Sequence, residues 1–379
     1  MKIIVLGAGR VGSQMAIDLA KDKQFQVCVA DINKSQLKIL TEKGSIETKQ
    51  TDLSDNAKVS QTIKDHDLVI NSMPGFLGYQ AFKTTIETGK NLVDIAFFTE
   101  DPMQLDSLAK EKGITAIVDC GVAPGMSNIL VGYVDSLMEK TENVLIYVGG
   151  VPVVREWPYE YKAGFSPADV IEIYTRPARY IENNTLVTRK ALTDPEFLDF
   201  PDIGTLEAFN TDGLRTLMHT IKAPNMKEKT LRYPGHIDKI AVLRETGFFS
   251  EKPIEINNIK ISPLDLTAKL LFPMWELKNE MEDLTIMKIM VDGKRNGKRV
   301  SYTYDLFDRY DPKTSATSMA RTTGYTATMA VRMLAEKLFD QKGVIAPELI
   351  GKNHKCVDFI LRGLNKRNVV YKETIKELS

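Results

Sequence analysis

Three glycines and a carboxylate near the N-terminus have the types and spacing of a nucleotide-binding loop. Gly7-Ala8-Gly9-Arg10-Val11-Gly12 follows directly on the apolar run at residues 2–6, and Asp31 closes the next apolar run at 25–30. Gly7 lets the chain turn off a strand, Gly9 leaves the backbone bare where a pyrophosphate approaches, and Gly12 lets the following helix lie close on the sheet. The phosphates are expected on the first amides of that helix, those of Arg10, Val11 and Gly12, at the positive end of its dipole. Asp31 stands 19 residues past Gly12, where a carboxylate accepts from a ribose 2′-OH and repels a 2′-phosphate. The expected cofactor is therefore NAD, with Lys34 close enough to soften the preference.

Ligands of open parallel sheets bind beyond the carboxyl ends of the strands, so residues just after strands draw attention next. The loop Asn71-Ser72-Met73-Pro74-Gly75-Phe76-Leu77-Gly78-Tyr79 is apolar and glycine-rich, and Ser72, Met73 and Pro74 are expected to cover the cofactor. Asp94 and Asp119 end two neighbouring strand-like segments. Two carboxylates there could hold a cationic amine or accept a proton, and they equally suit helix capping or bonding to nearby amides. Cys120 is expected to pack, since no basic residue adjoins it to lower its pKa. Further on, Thr230-Leu231-Arg232-Tyr233-Pro234-Gly235-His236 gathers a guanidinium, a phenol and an imidazole around a turn. That set suits a carboxylate clamp, because Arg offers paired donors to two oxygens. It also fits a surface arginine in a strand beside a turn-capping histidine. Arg215, in Asp212-Gly213-Leu214-Arg215, is a second candidate that could equally solvate a helix face. Trp157, Tyr159 and Tyr161 lie in a proline-rich loop able to roof a pocket, although aromatics in such loops more often pack.

The elements that must position these groups follow from periodicity. At 379 residues two domains are expected. Strand-like segments at 2–6, 26–31, 46–50, 67–71, 91–95 and 115–119 alternate with helical patterns, the mark of an α/β doubly wound parallel sheet over residues 1–122. A second domain with a mixed, largely antiparallel sheet is expected over 123–313. In it a strand at 144–148 would be broken by 149–152, and a hairpin of 284–291 with 300–306 would turn through 292–297. Residues 314–379, helical from 314 to 339 and ending in a short helix, are expected to return to the first domain. The hairpin edge would be left exposed, which predicts a homodimer through the second domain.

Fifty basic and fifty acidic residues cancel, so there is no global attraction to nucleic acid or an anionic membrane. No apolar run approaches the roughly 18 residues of a membrane span. The chain is expected to start in its first strand without a targeting segment and to be cytoplasmic. Cys28, Cys120 and Cys356 are far apart, and the four histidines lack metal-motif spacing, so neither disulfides nor a metal site is expected.

Several stretches resemble the saccharopine dehydrogenase family over nearly the whole chain. They are the Pro74–Gly78 loop, Gly121-Val122-Ala123-Pro124-Gly125-Met126-Ser127-Asn128, Tyr147-Val148-Gly149-Gly150-Val151-Pro152, Tyr174-Thr175-Arg176-Pro177-Ala178-Arg179, Glu207-Ala208-Phe209 and the two arginine motifs above. Within the family the chain is most similar to the lysine 6-dehydrogenase branch, which shares Ser318-Met319-Ala320-Arg321-Thr322-Thr323-Gly324 and Gly343-Val344-Ile345-Ala346-Pro347-Glu348-Leu349-Ile350. The resemblance implies a Rossmann domain, an inserted α/β domain for substrate binding and dimerisation, and NAD-linked oxidation of a primary amine. Saccharopine reductases carry an active-site Asp before Pro-Gly and a Cys before Gly-Gly, where this chain has Ala123 and Val148. The expected reaction is oxidative deamination of the ε-amine of L-lysine to 2-aminoadipate 6-semialdehyde and ammonia. Asp94 or Asp119 would serve the amine, and Arg232 with His236 would hold the α-carboxylate. The alternatives are a saccharopine-type or carboxylated-polyamine-forming NAD(P) oxidoreductase, and a non-catalytic dinucleotide-binding protein.

Overall fold

The side chains of Ile3, Ile4, Val5 and Leu6 are all completely buried, which a strand tolerates when both faces of its sheet are covered. They form β1 (Lys2–Leu6) at the heart of a parallel sheet in the computed structural model, which describes residues 1–278 and 281–378. Next come β2 (Gln26–Asp31), β3 (Ile46–Gln50), β4 (Leu68–Asn71), β5 (Asn91–Asp94) and β6 (Thr115–Ile117). They are followed by β7 (Lys140–Pro152), β8 (Ala178–Glu182), β9 (Thr185–Arg189), β10 (Glu196–Phe200), β11 (Gly204–Asn210) and β12 (Asn225–Arg232). The last strands are the small pair β13 (Ile254–Ile256) and β14 (Ile259–Ile261), the long pair β15 (Asp283–Arg295) and β16 (Lys298–Arg309), then β17 (Gly343–Ile345) and β18 (Tyr371–Glu377).

The chain forms two compact units, Met1–Met138 with Met319–Tyr371 and Glu139–Ser318 with Lys372–Ser379. In the first, the parallel sheet runs β17-β6-β5-β4-β1-β2-β3. From β6 to β3 this is the doubly wound order, all strands parallel, with the strand order changing direction between β1 and β4. Helix Arg10–Leu19, which follows the glycine loop, is anchored by its own Asp18. That carboxylate accepts from Arg332 Nη1 (2.8 Å), Thr328 Oγ1 (2.7 Å) and Arg367 Nε (2.8 Å). Burial works to raise the Asp18 carboxyl, but Arg332 and then Arg367 outweigh it and hold it below the usual carboxylate range.

The second unit is built on the sheet β10-β11-β12-β7-β15-β16-β18, with β8 against β12 and β9 against β8. β7 and β12 run parallel, and the other registered pairs here are antiparallel. An α/β chain with a parallel first sheet and a mixed second one is the expected class.

Several expectations need correcting. Helix Met126–Leu137 belongs to the first unit, so the division falls at Met138 and not at 122. The pair Gly149-Gly150 does not break β7: a Cβ on Gly149 would stand 2.6 Å from the Leu231 carbonyl oxygen, so that glycine admits the close approach of β12. The long hairpin turns at Asn296-Gly297 (φ 50° and 76°), a two-residue turn whose twist matches the strands, and both strands extend through what was expected to be loop. The C-terminus ends in β18 within the second unit, with Leu378 N–H on the Arg299 carbonyl at 2.9 Å. β18 therefore covers the β16 edge, and the exposed-edge ground for a dimer falls away.

Candidate functional site

The first turn of the sheet carries the glycine loop. Gly7 has φ +102°, a conformation that costs a side-chain-bearing residue strain. A Cβ on Gly12 would lie 2.1 Å from the Gly7 carbonyl oxygen and 2.6 Å from Ser72 Oγ, whereas one on Gly9 would meet no atom within 4 Å. Gly9 is the N-cap of helix Arg10–Leu19 and no side chain caps it. Ser13 N–H is bonded to the Gly9 carbonyl at 2.8 Å, so the amides of Arg10, Val11 and Gly12 precede the first turn's intrahelical bond. With open space at Gly9 and no side-chain cap, this helix start fits a pyrophosphate.

Asp31, at the end of β2, faces the same loop: Oδ2 accepts from Ala8 N–H at 2.6 Å and Oδ1 from Asn33 N–H at 2.7 Å. Each oxygen retains a lone pair for a sugar hydroxyl. Beside it a cleft of about 520 Å³ is lined by Ile32, Lys49, Gln50, Thr51, Asp52 and Lys58, among others. Ser72 turns its hydroxyl onto the Leu6 and Gly7 carbonyls (2.8 and 3.2 Å), so it braces the glycine loop. Met73 N–H bonds Asn71 Oδ1 at 3.3 Å, and Pro74 is the N-cap of a second helix without a side-chain cap, Gly75–Glu87.

Asp94, at the end of β5, has no exposed surface. Its Oδ1 accepts from Asn71 Nδ2 at 2.6 Å, and the same amide group donates to the Gly78 carbonyl at 2.9 Å. Asn71 thus joins Asp94 to the loop after β4. Asp119 is 2% exposed and left-handed, with φ 50°. Both carboxylates lie near Cys120, whose thiol is pushed up to about 12 by burial first and then by Asp94 and Asp119. Cys120 accordingly packs, and all three cysteines are buried and free.

In the second unit β12 delivers Arg232 at its last position, opposite Glu207 of β11. Gly235 (φ +82°) then turns the chain into helix His236–Thr246, and its N–H bonds Glu207 Oε2 at 3.0 Å. Arg232 is 3% exposed. Its Nε donates to Tyr174 Oη at 3.1 Å and its Nη1 to the Leu231 carbonyl at 2.8 Å, while the guanidinium lies 4.5 Å from the Tyr161 ring centroid. Those bonds engage two of its five N–H donors. Among the described residues no carboxylate pairs with it. Glu228 contributes a weak countercharge, because burial pushes its carboxyl up to about 7, and it accepts a hydrogen bond from Thr211.

His236 has both ring nitrogens engaged, Nδ1 with the Tyr159 carbonyl (2.8 Å) and Nε2 with Tyr174 Oη (2.9 Å). Burial, then the Arg232 charge, pushes it down to about 3, so the ring is neutral. Tyr233 donates its hydroxyl to the Pro152 carbonyl at 2.8 Å, and Arg155 covers its ring. Of the expected clamp, Arg232 therefore keeps donors for a ligand, while His236 and Tyr233 are turned to internal bonds. Arg215 is 6% exposed with φ 52°, in the turn before helix Leu217–Thr220, not on a solvated helix face. Tyr161 is buried under Arg232 and Trp157 is 85% exposed, so the aromatic loop splits between packing and solvent.

Sequence reasoning did not select Asn71 or Tyr174. Asn71 was inside a loop noticed for its glycines, and a tyrosine on helix Pro167–Thr175 has the pattern of an ordinary core residue.

Residues 3–117 match the family model for the saccharopine dehydrogenase NADP binding domain, and residues 121–370 match that for the saccharopine dehydrogenase C-terminal domain. The mitochondrial alpha-aminoadipic semialdehyde synthase of Mus musculus is 26% identical over 280 residues, covering 69% of this chain and 30% of that protein. Saccharopine dehydrogenase (NADP(+), L-glutamate-forming) of Pyricularia oryzae is 26% identical over 264 residues, covering 66% of this chain and 58% of that one. The chain thus spans about a third to just over half of these relatives. Carboxyaminopropylagmatine dehydrogenase of Synechocystis is 21% identical, covering 92% of both. An apo saccharopine dehydrogenase (L-Glu forming) structure from Saccharomyces cerevisiae shares the fold, with a TM-score of 0.80 at 19% identity and 99% coverage of each chain. With its two parts matched by these two family models, the chain belongs to the saccharopine dehydrogenase family of oxidoreductases, which bind a nicotinamide dinucleotide.

Proposed function

We propose that this protein is an NAD-dependent amine dehydrogenase that oxidatively deaminates the ε-amino group of L-lysine, giving 2-aminoadipate 6-semialdehyde and ammonia. The observation that carries the reading is Arg232, a buried guanidinium with no ion-pair partner among the described residues and N–H donors beyond its internal bonds. A buried charge left in that state suits a substrate carboxylate. A bound nicotinamide supplies the hydride acceptor. The protein must take a proton from the ε-ammonium, since hydride leaves Cε only once the nitrogen lone pair is available. It must then guide water to the resulting imine carbon, after which ammonia departs. Asp94 or Asp119 is the proton acceptor, directly or through water.

NAD is the proposed dinucleotide because Asp31 lies against the glycine loop with lone pairs for a ribose diol. Lys49 and Lys58 in the adjoining cleft are the groups that would favour a 2′-phosphate instead. The second unit is the proposed substrate-binding and dimerisation part, a homodimer being supported by the exposed Ile254, Ile256, Ile259, Leu266, Leu270 and Met274. A cytoplasmic setting suits the three free, buried cysteines.

Kinetics on paired substrates test the reading. Arg232→Met should weaken L-lysine relative to cadaverine, which lacks the carboxylate, by about 2–5 kcal/mol. Asp119→Asn or Asp94→Asn should slow both substrates alike, because proton removal and water attack are common to them. Equal losses for the two amines in Arg232→Met would remove the clamp, and normal turnover in both Asp variants would remove the carboxylates. A second reading, saccharopine-type or carboxylated-polyamine chemistry, is favoured by the names of the relatives above and opposed by Ala123 and Val148.

A further inference from the structure

Two ends of a buried chain of hydrogen bonds have only one possible polarity. The Tyr159 carbonyl can only accept, so the His236 Nδ1 that lies 2.8 Å from it carries a proton. At the other end the Arg232 guanidinium can only donate, so Tyr174 Oη, 3.1 Å from Nε, is its acceptor. The Tyr174 hydroxyl then gives its own hydrogen to His236 Nε2, 2.9 Å away. All of the bonds point the same way, from Arg232 through Tyr174 and His236 to the backbone. The surroundings keep the imidazole neutral: Arg232 and Lys239 are the charged groups acting on it, and Tyr161, Tyr174 and Trp275 enclose the cluster with aromatic rings.

We propose that Tyr174 and His236 are positioning residues that hold Arg232 by its Nε, so that the guanidinium meets a substrate carboxylate with its terminal Nη groups. The inference rests on the reading of Arg232 as a carboxylate clamp. It explains why a tyrosine and a histidine with no donor left for a ligand lie beside that arginine. A guanidinium free to rotate would offer either its Nε side or its Nη end. Here Nε is already engaged, and the Leu231 carbonyl on Nη1 fixes the plane from the other edge.

Two measurements test it, the first on the unaltered protein. Side-chain ¹⁵N NMR, with the His236 signal assigned by its loss in His236→Gln, should show an Nδ1–H tautomer that stays neutral down to about pH 5. An Nε2–H tautomer, or titration in the ordinary histidine range, would overturn the chain whatever the substrate is. In the second, Tyr174→Phe keeps the ring and removes the hydroxyl. The kcat/KM for L-lysine relative to cadaverine should then fall about 10- to 100-fold, mainly through KM, as for loss of a hydrogen bond to a charged group. An unchanged ratio in Tyr174→Phe, alongside a lowered one in Arg232→Met, would sink the positioning role and leave the clamp standing. An unchanged ratio in Arg232→Met would remove the clamp and the proposal with it. If neither amine is turned over, the tautomer decides.

Discussion

Alanine at Gly9 and at Gly12 should have opposite effects, although the two residues are three apart in one loop. At Gly12 the new Cβ would lie 2.1 Å from the Gly7 carbonyl oxygen and 2.6 Å from Ser72 Oγ. Ordinary contact is about 3.5–4 Å. The carbonyl cannot easily retreat, because Ser72 Oγ is bonded to it at 3.2 Å. Overpacking of this kind costs about 1–3 kcal/mol, and so severe an approach belongs at the upper end. Better helix propensity returns up to about 1 kcal/mol. The expected net loss is about 1–2 kcal/mol. At Gly9 the backbone is extended (φ −66°, ψ −179°) and no atom lies within 4 Å of the new Cβ, so alanine fits. Stability should stay within about 1 kcal/mol of the parent, because the gain through the unfolded chain is offset by alanine's lower preference for the N-cap position. The Cβ would, however, stand where the pyrophosphate approaches, and dinucleotide affinity should drop at least about tenfold, roughly 1.4 kcal/mol. Urea unfolding and titration of NADH fluorescence separate the two variants. Gly9→Ala binding NADH like the parent, or Gly12→Ala as stable as the parent, would refute the geometry of the loop.

Three further outcomes follow from single groups. With Asp31 at the ribose, NAD⁺ should support faster turnover than NADP⁺ at equal concentration, and Asp31→Ala should narrow the gap; equal or better use of NADP⁺ by the parent would shift the assignment to Lys49 and Lys58. Glu228 has its carboxyl raised from 4.5 to about 7 by burial, so the folded state binds its proton more tightly than the unfolded one. The stability it contributes is complete below the unfolded value and is lost as pH rises through the folded one. Urea unfolding of Glu228→Gln should therefore gain on the parent by about 3 kcal/mol between pH 4.5 and pH 8, and a pH-independent difference would contradict this. Sedimentation at micromolar concentration should give a dimer, and a monomer would leave the exposed isoleucines of β13 and β14 without the proposed partner.

The first unit was legible because its strands are buried on both faces. Continuous apolar runs such as Ile3-Ile4-Val5-Leu6, each followed by a helical pattern, admit little but a parallel sheet. The short β17 escaped notice, since three residues carry no periodicity and its place beside β6 is set by tertiary packing. In the second unit, β9 and β18 are mostly exposed and polar, so they show no apolar alternation to read. Gly149 misled because a glycine that admits a neighbouring strand is, in sequence, the same as one that ends a strand. The Asn296-Gly297 turn was available in the sequence as a hairpin dipeptide, but the charged residues around it widened the expected loop. At the site, glycines and arginines declared themselves by type. The residues that orient them did not: Asn71 and Tyr174 act through partners 23 and 58 positions away, a distance at which sequence carries no signal of contact.

The most direct test of a lysine-deaminating activity is to add L-lysine to the purified protein with NAD⁺, follow reduced-nicotinamide absorbance, and assay ammonia in the same reaction. One ammonia per NADH formed, dependent on lysine, is the predicted result, with saccharopine inert under the same conditions. Oxidation of saccharopine with release of glutamate, and no ammonia from lysine, would contradict it.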